Sequence, residues 1–359
     1  MNSPSALESG LIQKHLPILD GLRGVAVFCV ILFHAGVPAP GGLGVLGFFV
    51  ISGFLITWLL LREDAEHGNI SLKSFYFRRT LRIFPAFYTY AALLIFVSLS
   101  LGKHILWPQA IAALIYINNY YQAIHGDPNT GFSHTWSLGI EEQFYLTWPA
   151  LFFVLRRKRR GLVRVVAILI VLAWAYRAVL QFIFHVHQGW FYEAFDTRFD
   201  HLLSGCLLAL VLYDVAGDSR IETYCRSGPL LLALLATLTS SVLLEFRLGS
   251  DYRDSAAFVV DPLLIAVMIP VLIAQRDRAA VRWLDTKPVR YIGRISYSLY
   301  LYQQLVIDPA MKLFRGAPLL IRASLACGVV IVVASISYFV IERPFQKLKN
   351  RPASELRHP

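Results

Sequence analysis

The stretch Leu19–Ala35, LDGLRGVAVFCVILFHA, is almost wholly apolar, yet it holds Asp20, Arg23 and His34. The eleven-residue spacing of Arg23 and His34 is about three helical turns plus 20°, or about 16 Å along a helix axis. The two side chains therefore share one face of one helix, and Asp20 lies close to that face. Such a helix is either a soluble core helix around a buried ion pair or a membrane span that faces a polar cavity.

The composition decides between these alternatives. Of the 359 residues, 56% are hydrophobic and only 16% are charged, whereas a soluble domain carries about 25% charged residues. The apolar runs are continuous instead of alternating, which is typical of membrane helices and not of a β-barrel. We therefore predict an all-α integral membrane protein in the lipid bilayer, with about ten transmembrane helices around a polar pore.

The distribution of Lys and Arg predicts the orientation of these spans. With a cytoplasmic N-terminus, the inside segments carry 23 Lys and Arg and the outside segments carry 6, so both termini are predicted to be cytoplasmic. We expect a membrane domain at 16–345 between cytoplasmic tails at 1–15 and 346–359. The apolar segment 104–121 is predicted to be interfacial or re-entrant. The ten predicted spans are roughly 16–36, 43–61, 84–101, 135–155, 164–184, 199–213, 230–246, 257–274, 290–308 and 319–341.

Other classes of function find little support in the sequence. The net charge of +11 is concentrated in predicted cytoplasmic loops, above all in RRKRR at Arg156–Arg160, so no nucleic-acid partner is expected. No P-loop or GxGxxG motif occurs. The four cysteines are scattered without metal-ligand spacing, and we predict that they pack in the apolar interior and that the protein holds no metal.

A second polar group lies in HTWSLGIEEQFYLTWP, residues 134–149, at the outer start of a span. His134, Ser137, Glu141 and Glu142 are candidates for a site, because consecutive polar residues cover so much of the helix that some must face the interior. A Glu beside His34 could orient the imidazole and stabilise its charged form. The alternative is a pair of interfacial carboxylates that reach outside water.

Two further clusters each allow two interpretations. Arg78, Arg79 and Arg82 lie at a cytoplasmic span end, where they either anchor the span or bind phosphate groups. Arg198 and Asp200, in FDTRFDHLLSG, form either a structural ion-pair network or part of an acceptor site. The glycines of residues 41–54 indicate close helix packing, and the polar residues of IGRISYSLYLYQQ, 292–304, line a cavity or join helices.

Together these motifs show a resemblance to the membrane acyltransferase-3 family of bacterial O-acyltransferases. The matching stretches run from Leu19 to Phe345: LDGLRGVAVFCVILFH, FFVISGFLIT, FRRTLRIFPAFY, HTWSLGIEEQFYLTWP, TRFDHLLSG, IGRISYSLYLY and IERPF. The resemblance implies that an acyl group, usually acetyl, passes from acyl-coenzyme A to a hydroxyl of a carbohydrate or lipid-linked glycan. It implies activity-linked roles for Arg23 and His34, donor contacts for the basic cluster at residues 78–82, and a Glu-Glu motif at residues 141–142.

Two departures from the family pattern accompany the resemblance. Many members have a histidine where this chain has Gln303, so an acid–base role there is absent or has moved. Some members also carry a hydrolase-like domain after the membrane core, and we expect transfer without it.

The resulting hypothesis is a route across a bacterial inner membrane. Acyl-CoA binds at Arg78, Arg79 and Arg82, its arm rises past Arg23, and His34 acts as a general base or briefly carries the acyl group. The rival is a multi-span exporter of a saccharide or small metabolite, since intramembrane charges also suit transporters. The acceptor and the acyl chain are left open by the sequence.

Overall fold

The computed structural model describes residues 6–13, 15–313 and 315–348, and within these ranges the regular structure is helical throughout. Ten helices have 17 or more residues: α2 (Pro17–His34), α3 (Gly41–His67), α4 (Leu72–Ser100), α7 (Trp136–Leu155), α8 (Arg159–Phe182), α10 (Phe199–Val215), α12 (Gly228–Leu248), α14 (Phe258–Ala274), α17 (Ser296–Leu313) and α18 (Leu319–Ser337). Shorter helices connect them: α1 (Ala6–Ile12), α5 (Trp107–Leu114), α6 (Asn118–His125), α9 (Gln188–Glu193), α11 (Ser219–Cys225), α13 (Ser250–Tyr252), α15 (Ala279–Arg282), α16 (Lys287–Arg294) and α19 (Arg343–Leu348).

The all-α fold predicted from the sequence is confirmed, and each predicted span overlaps one of the ten long helices, although the ninth, 290–308, begins in the separate short helix α16. By length and composition, seven helical segments of the described chain qualify as membrane-crossing, and one of them, 133–182, contains both α7 and α8. The apolar segment 104–121 is not a long helix but is divided between α5 and the start of α6. The number of crossings and the side on which the termini lie stay predictions.

Close backbone contact joins α3 to α10 in the core. A Cβ atom on Gly53 would lie 1.9 Å from the carbonyl oxygen of Leu202, and one on Gly205 would lie 2.0 Å from that of Val50. Only glycine permits this approach, which is the usual way that helices pack in membranes. The glycine-rich start of α3 thus serves helix packing, as its sequence indicates.

The helix that carries Arg23 is held in the same way against α16. A Cβ atom on Gly293 would lie 1.8 Å from the carbonyl oxygen of Asp20, and one on Gly21 would lie 2.3 Å from that of Leu284. This contact places α2 beside the α16–α17 segment.

The predicted tails are partly ordered on the membrane domain. In the N-terminal segment, Leu7 and Leu11 of α1 are buried, and a Cβ atom on Gly10 would lie 2.5 Å from Ile273 of α14. At the other end, α19 continues to Leu348. Residues 1–5 and 349–359, which complete the two predicted tails, lie outside the described residues.

Candidate active site

A cavity of about 540 Å³ lies between α2, α3, α4, α7 and the α16–α17 segment. That volume falls within the range of about 300–1,000 Å³ typical of small-molecule sites. Its charged lining comprises five arginines and three carboxylates, which leaves an excess of two positive charges: Arg23, Arg62, Arg79, Arg82, Arg294, Asp20, Glu141 and Glu342. The site therefore favours an anionic ligand.

Two arginines of α4 reach this cavity. Ser71 is the N-cap, and its side chain accepts a hydrogen bond from the backbone N–H of Ser74 at 3.2 Å. Helical spacing places Arg82 about 60° from Arg79 and about 40° from Arg78 around the helix axis, so all three arginines lie on neighbouring faces of α4. Arg79 and Arg82 line the cavity.

Three guanidinium groups converge in the cavity. The positive charges of Arg23 and Arg79 both act on Arg82, with Glu342 as an opposing charge. Arg79 stacks on the ring of Tyr145 at 3.4 Å. The buried Nε atom of Arg23 has no hydrogen-bond partner among the described residues. Guanidinium groups that outnumber the carboxylates in the cavity lining are suited to phosphate oxygens.

Arg78, which was predicted to share this role, points elsewhere. Its guanidinium pairs with Glu63 of α3 at 2.9 Å. It is not among the residues that line the cavity. The structure therefore brings two of the three predicted donor-binding arginines to the cavity, together with Arg23.

The two adjacent glutamates also have different surroundings. Glu141 lines the cavity and accepts a hydrogen bond from the Ser52 hydroxyl at 2.8 Å. Glu142 lies 3.9 Å from Arg79 and does not line the cavity. The structure gives neither glutamate a contact with His34, so the predicted Glu–His pair is not formed.

His34 lies beyond the cavity at the end of α2. Its Nδ1 atom is 3.4 Å from the side-chain nitrogen of Gln304. The carboxylates whose charge acts on His34 are Asp308 and Asp127. Arg23 and His34 thus belong to one helix, as predicted, but only Arg23 lines the cavity.

The hydroxyl groups of Ser137 and Tyr300 close the end of the cavity nearest to His34. The Ser137 and Tyr300 oxygens are 2.5 Å apart, and the Tyr300 hydroxyl donates to the His134 carbonyl oxygen at 2.9 Å. The His134 ring packs edge-on against Tyr300 and Tyr90, with ring centroids 5.4 and 5.5 Å away. Ser137 therefore belongs to the cavity, whereas His134 lies behind the tyrosine.

Arg198 and Asp200 lie in a separate closed cluster. Asp200 receives a bidentate pair of hydrogen bonds from Arg177 of α8, at 2.7 and 2.9 Å. Arg198 is fully buried, and its guanidinium lies over the ring of Phe258 at 4.0 Å. The bidentate pair supports the structural interpretation for Asp200, whereas the three guanidinium nitrogens of Arg198 have no hydrogen-bond partner among the described residues.

Sequence reasoning missed Glu342 and Arg177, which shape these two regions, whereas Tyr300 lies in the stretch 292–304 for which cavity lining was one of two predicted roles. Glu342 and Tyr300 line the cavity, and Arg177 neutralises Asp200. Their signals were present in the sequence, since Glu342 opens the motif ERPF after an apolar run and Arg177 is a lone charge in a long apolar stretch. Within the described residues, no group of three or more His, Cys, Asp or Glu side chains could hold a metal ion.

Comparison with known proteins connects this arrangement to a family. The model of a family described as an acyltransferase domain matches residues 16–339. This chain belongs to the acyltransferase-3 family. No solved structure matches it.

Curated relatives cover most of the chain. The peptidoglycan O-acetyltransferase OatA of Listeria monocytogenes is 30% identical, over 93% of this chain and 56% of its own length. The putative peptidoglycan O-acetyltransferase YrhL of Bacillus subtilis is 31% identical, over 93% of this chain and 55% of its own. The O-acetyltransferase OatA of Staphylococcus aureus is 30% identical, over 95% and 59%. The chain spans a little over half the length of these relatives.

Proposed function

We propose that this acyltransferase-3 protein is a membrane O-acyltransferase of the bacterial inner membrane. It moves an acyl group, with acetyl as the first candidate, from acyl-CoA to a hydroxyl of a cell-envelope carbohydrate. The observation that carries this proposal is the cavity in which Arg23, Arg79 and Arg82 converge. The named activity of the relatives supports acetyl transfer, and peptidoglycan is the first acceptor to test.

The cavity supports a donor with phosphate groups. Arg62 of α3 and Arg294 of α16 lie at the end of the cavity that Gln13 also lines, where Arg62 donates a hydrogen bond to the Gln13 carbonyl oxygen at 3.2 Å. In the proposed orientation this end faces the cytoplasm, where acyl-CoA is made. The phosphates would bind the arginines there, and the acyl arm would extend toward Ser137 and Tyr300.

His34 is the proposed general base on the acceptor side. Its Nδ1 atom is engaged by Gln304, so Nε2 is the nitrogen left for the acceptor hydroxyl. Nε2 can accept that proton only in the tautomer of the neutral ring whose hydrogen is on Nδ1. In this tautomer Nδ1 is a donor, so the Gln304 side-chain oxygen, and not its nitrogen, must face Nδ1. The two orientations of a glutamine amide have the same shape, and the hydrogen-bond network selects between them. Asp127 and Asp308 would stabilise the imidazolium that forms.

The test is acyl transfer by purified protein in lipid nanodiscs, with radiolabelled acetyl-CoA and soluble peptidoglycan fragments. We expect CoA release that depends on the acceptor, and a label that appears on the glycan. His34→Ala should lower kcat by at least about a hundredfold, which is the usual contribution of a general base.

His67→Ala is the matched control, because His67 is exposed at the end of α3 and contacts its own helix backbone. Its activity should equal that of the wild type. Full activity in His34→Ala would remove the general-base role. Flux of glycan across the bilayer without CoA release would instead favour an exporter.

A further inference from the structure

Ser137 on α7 and Tyr300 on α17 meet at one end of the cavity. Val45 on α3 also lines the cavity. Gln304 follows Tyr300 by four residues, or about 6 Å along the helix, and it is Gln304 that contacts His34. The end of the cavity is thus about one helical turn short of His34.

Tyr300 forms most of the barrier across this last turn. Its side chain is only 7% exposed, and its ring packs edge-on between Phe48 and His134, with centroids 6.4 and 5.4 Å away. Its hydroxyl is held by Ser137 and by the His134 carbonyl group. Two hydrogen bonds and two ring contacts therefore fix the ring in place.

Apolar side chains of α3 and α7 line the cavity, and Phe48 among them contacts this ring. Val45, Phe48 and Phe49 belong to α3, and Leu138 belongs to α7. An acyl group that reaches these side chains from the arginine-lined side meets the tyrosine ring. A longer chain would overpack the site, and overpacking a close-packed interior is unfavourable.

We propose that Tyr300, held by Ser137, is the end wall that limits the acyl group of the donor to a short chain. This inference rests on the proposed use of the cavity by acyl-CoA. It makes Tyr300 a specificity-determining residue, because each added methylene must displace a hydrogen-bonded ring. Pockets of this kind discriminate by about tenfold or more for each methylene.

The experiment measures equilibrium binding of acetyl-, butyryl- and hexanoyl-CoA to the purified full chain in nanodiscs. For the wild type, we expect hexanoyl-CoA to bind at least about tenfold more weakly than acetyl-CoA. Tyr300→Leu should remove most of this difference by improving hexanoyl-CoA. Tyr300→Phe keeps the ring and should retain most of the preference.

Tyr297→Leu is the matched control. Tyr297 lines the same cavity one turn earlier on α17, where its hydroxyl donates to the Ile83 carbonyl oxygen at 3.2 Å. Its replacement opens space away from the proposed wall, so the ratio of hexanoyl to acetyl binding should stay as in the wild type. Val45→Ala enlarges the cavity from the side of α3 and should shift the binding ratio in the same direction as Tyr300→Leu. It provides the test if Tyr300→Leu does not fold.

The outcomes separate this inference from the proposed function. Equal binding of acetyl- and hexanoyl-CoA by the wild type overturns the wall and leaves the donor cavity intact. An unchanged ratio of hexanoyl-CoA to acetyl-CoA binding in both Val45→Ala and folded Tyr300→Leu also overturns the role of Tyr300 as the end wall. A wild type that binds no acyl-CoA overturns both proposals.

Discussion

Buried arginines occur in two regions of this molecule, and their partners differ. In the closed cluster, Arg177 meets Asp200 in a bidentate pair, and both side chains are almost fully buried. In the cavity, Arg23 and Arg82 lie near further arginines, and three carboxylates face five guanidinium groups. A neutralised pair holds helices together, whereas unmatched positive charges beside an open space invite an anion.

The largest effect is expected from breaking the closed pair. Asp200→Ala leaves Arg177 buried without its carboxylate, which should cost about 3–5 kcal/mol of the free energy of unfolding. Denaturation in detergent micelles measures this loss. The double variant Arg177→Met/Asp200→Leu removes both charges and should regain most of the stability. If Asp200→Ala were as stable as the wild type but lost acceptor binding, this cluster would be part of the acceptor site.

The next effect distinguishes two neighbouring arginines on α4. Arg82→Ala removes one guanidinium from the cavity and should weaken acetyl-CoA binding by about tenfold to a hundredfold, the range for hydrogen bonds between charged groups. Arg78→Ala breaks only the pair with Glu63 and should change the Kd by less than about threefold. Isothermal titration in nanodiscs compares the two variants. Equal losses would place the donor outside the cavity.

The smallest effect concerns the buried carboxyl group of Glu193, for which the described part of the chain shows no ion pair. Burial, followed by the charge of Asp127, raises the pKa of Glu193 to about 8. Glu193 lies on α9, between the long helices α8 and α10. Because the pKa is higher in the folded chain, stability is greatest below about pH 4.5 and falls as the pH rises toward 8.

Glu193→Gln should therefore lower the pH dependence of unfolding over that interval, and thermal denaturation at successive pH values measures the change. Asp251→Asn, at an exposed carboxyl group, is the control and should leave the slope as it is. A slope that is identical in Glu193→Gln and in the wild type would contradict the raised pKa.

The helices of this protein could be predicted from the sequence because continuous apolar runs have no other stable arrangement in a membrane. The cavity could be predicted only in part. Arg78 and Arg79 are adjacent in the chain but face different directions, and their partners Glu63 and Glu142 come from other helices. The pairing of Asp200 with Arg177 likewise depends on how α8 meets α10.

The position of His34 illustrates the same limit. Helical spacing places Arg23 and His34 on one face, which is correct for α2 considered alone. Whether one cavity includes both depends on Tyr300 and Ser137, which come from α17 and α7. Side chains from neighbouring helices thus separate two residues that lie on one continuous face of α2.

The hydrogen-bonded tyrosine also matters for the membrane as a permeability barrier. In the proposed orientation, water and ions that fill the arginine-lined cavity are in contact with the cytoplasm. A continuous wet path from there to His34 would let protons leak and would dissipate the gradient that powers the cell. With the Tyr300 ring in place, the enzyme would remain closed to hydrated ions between turnovers.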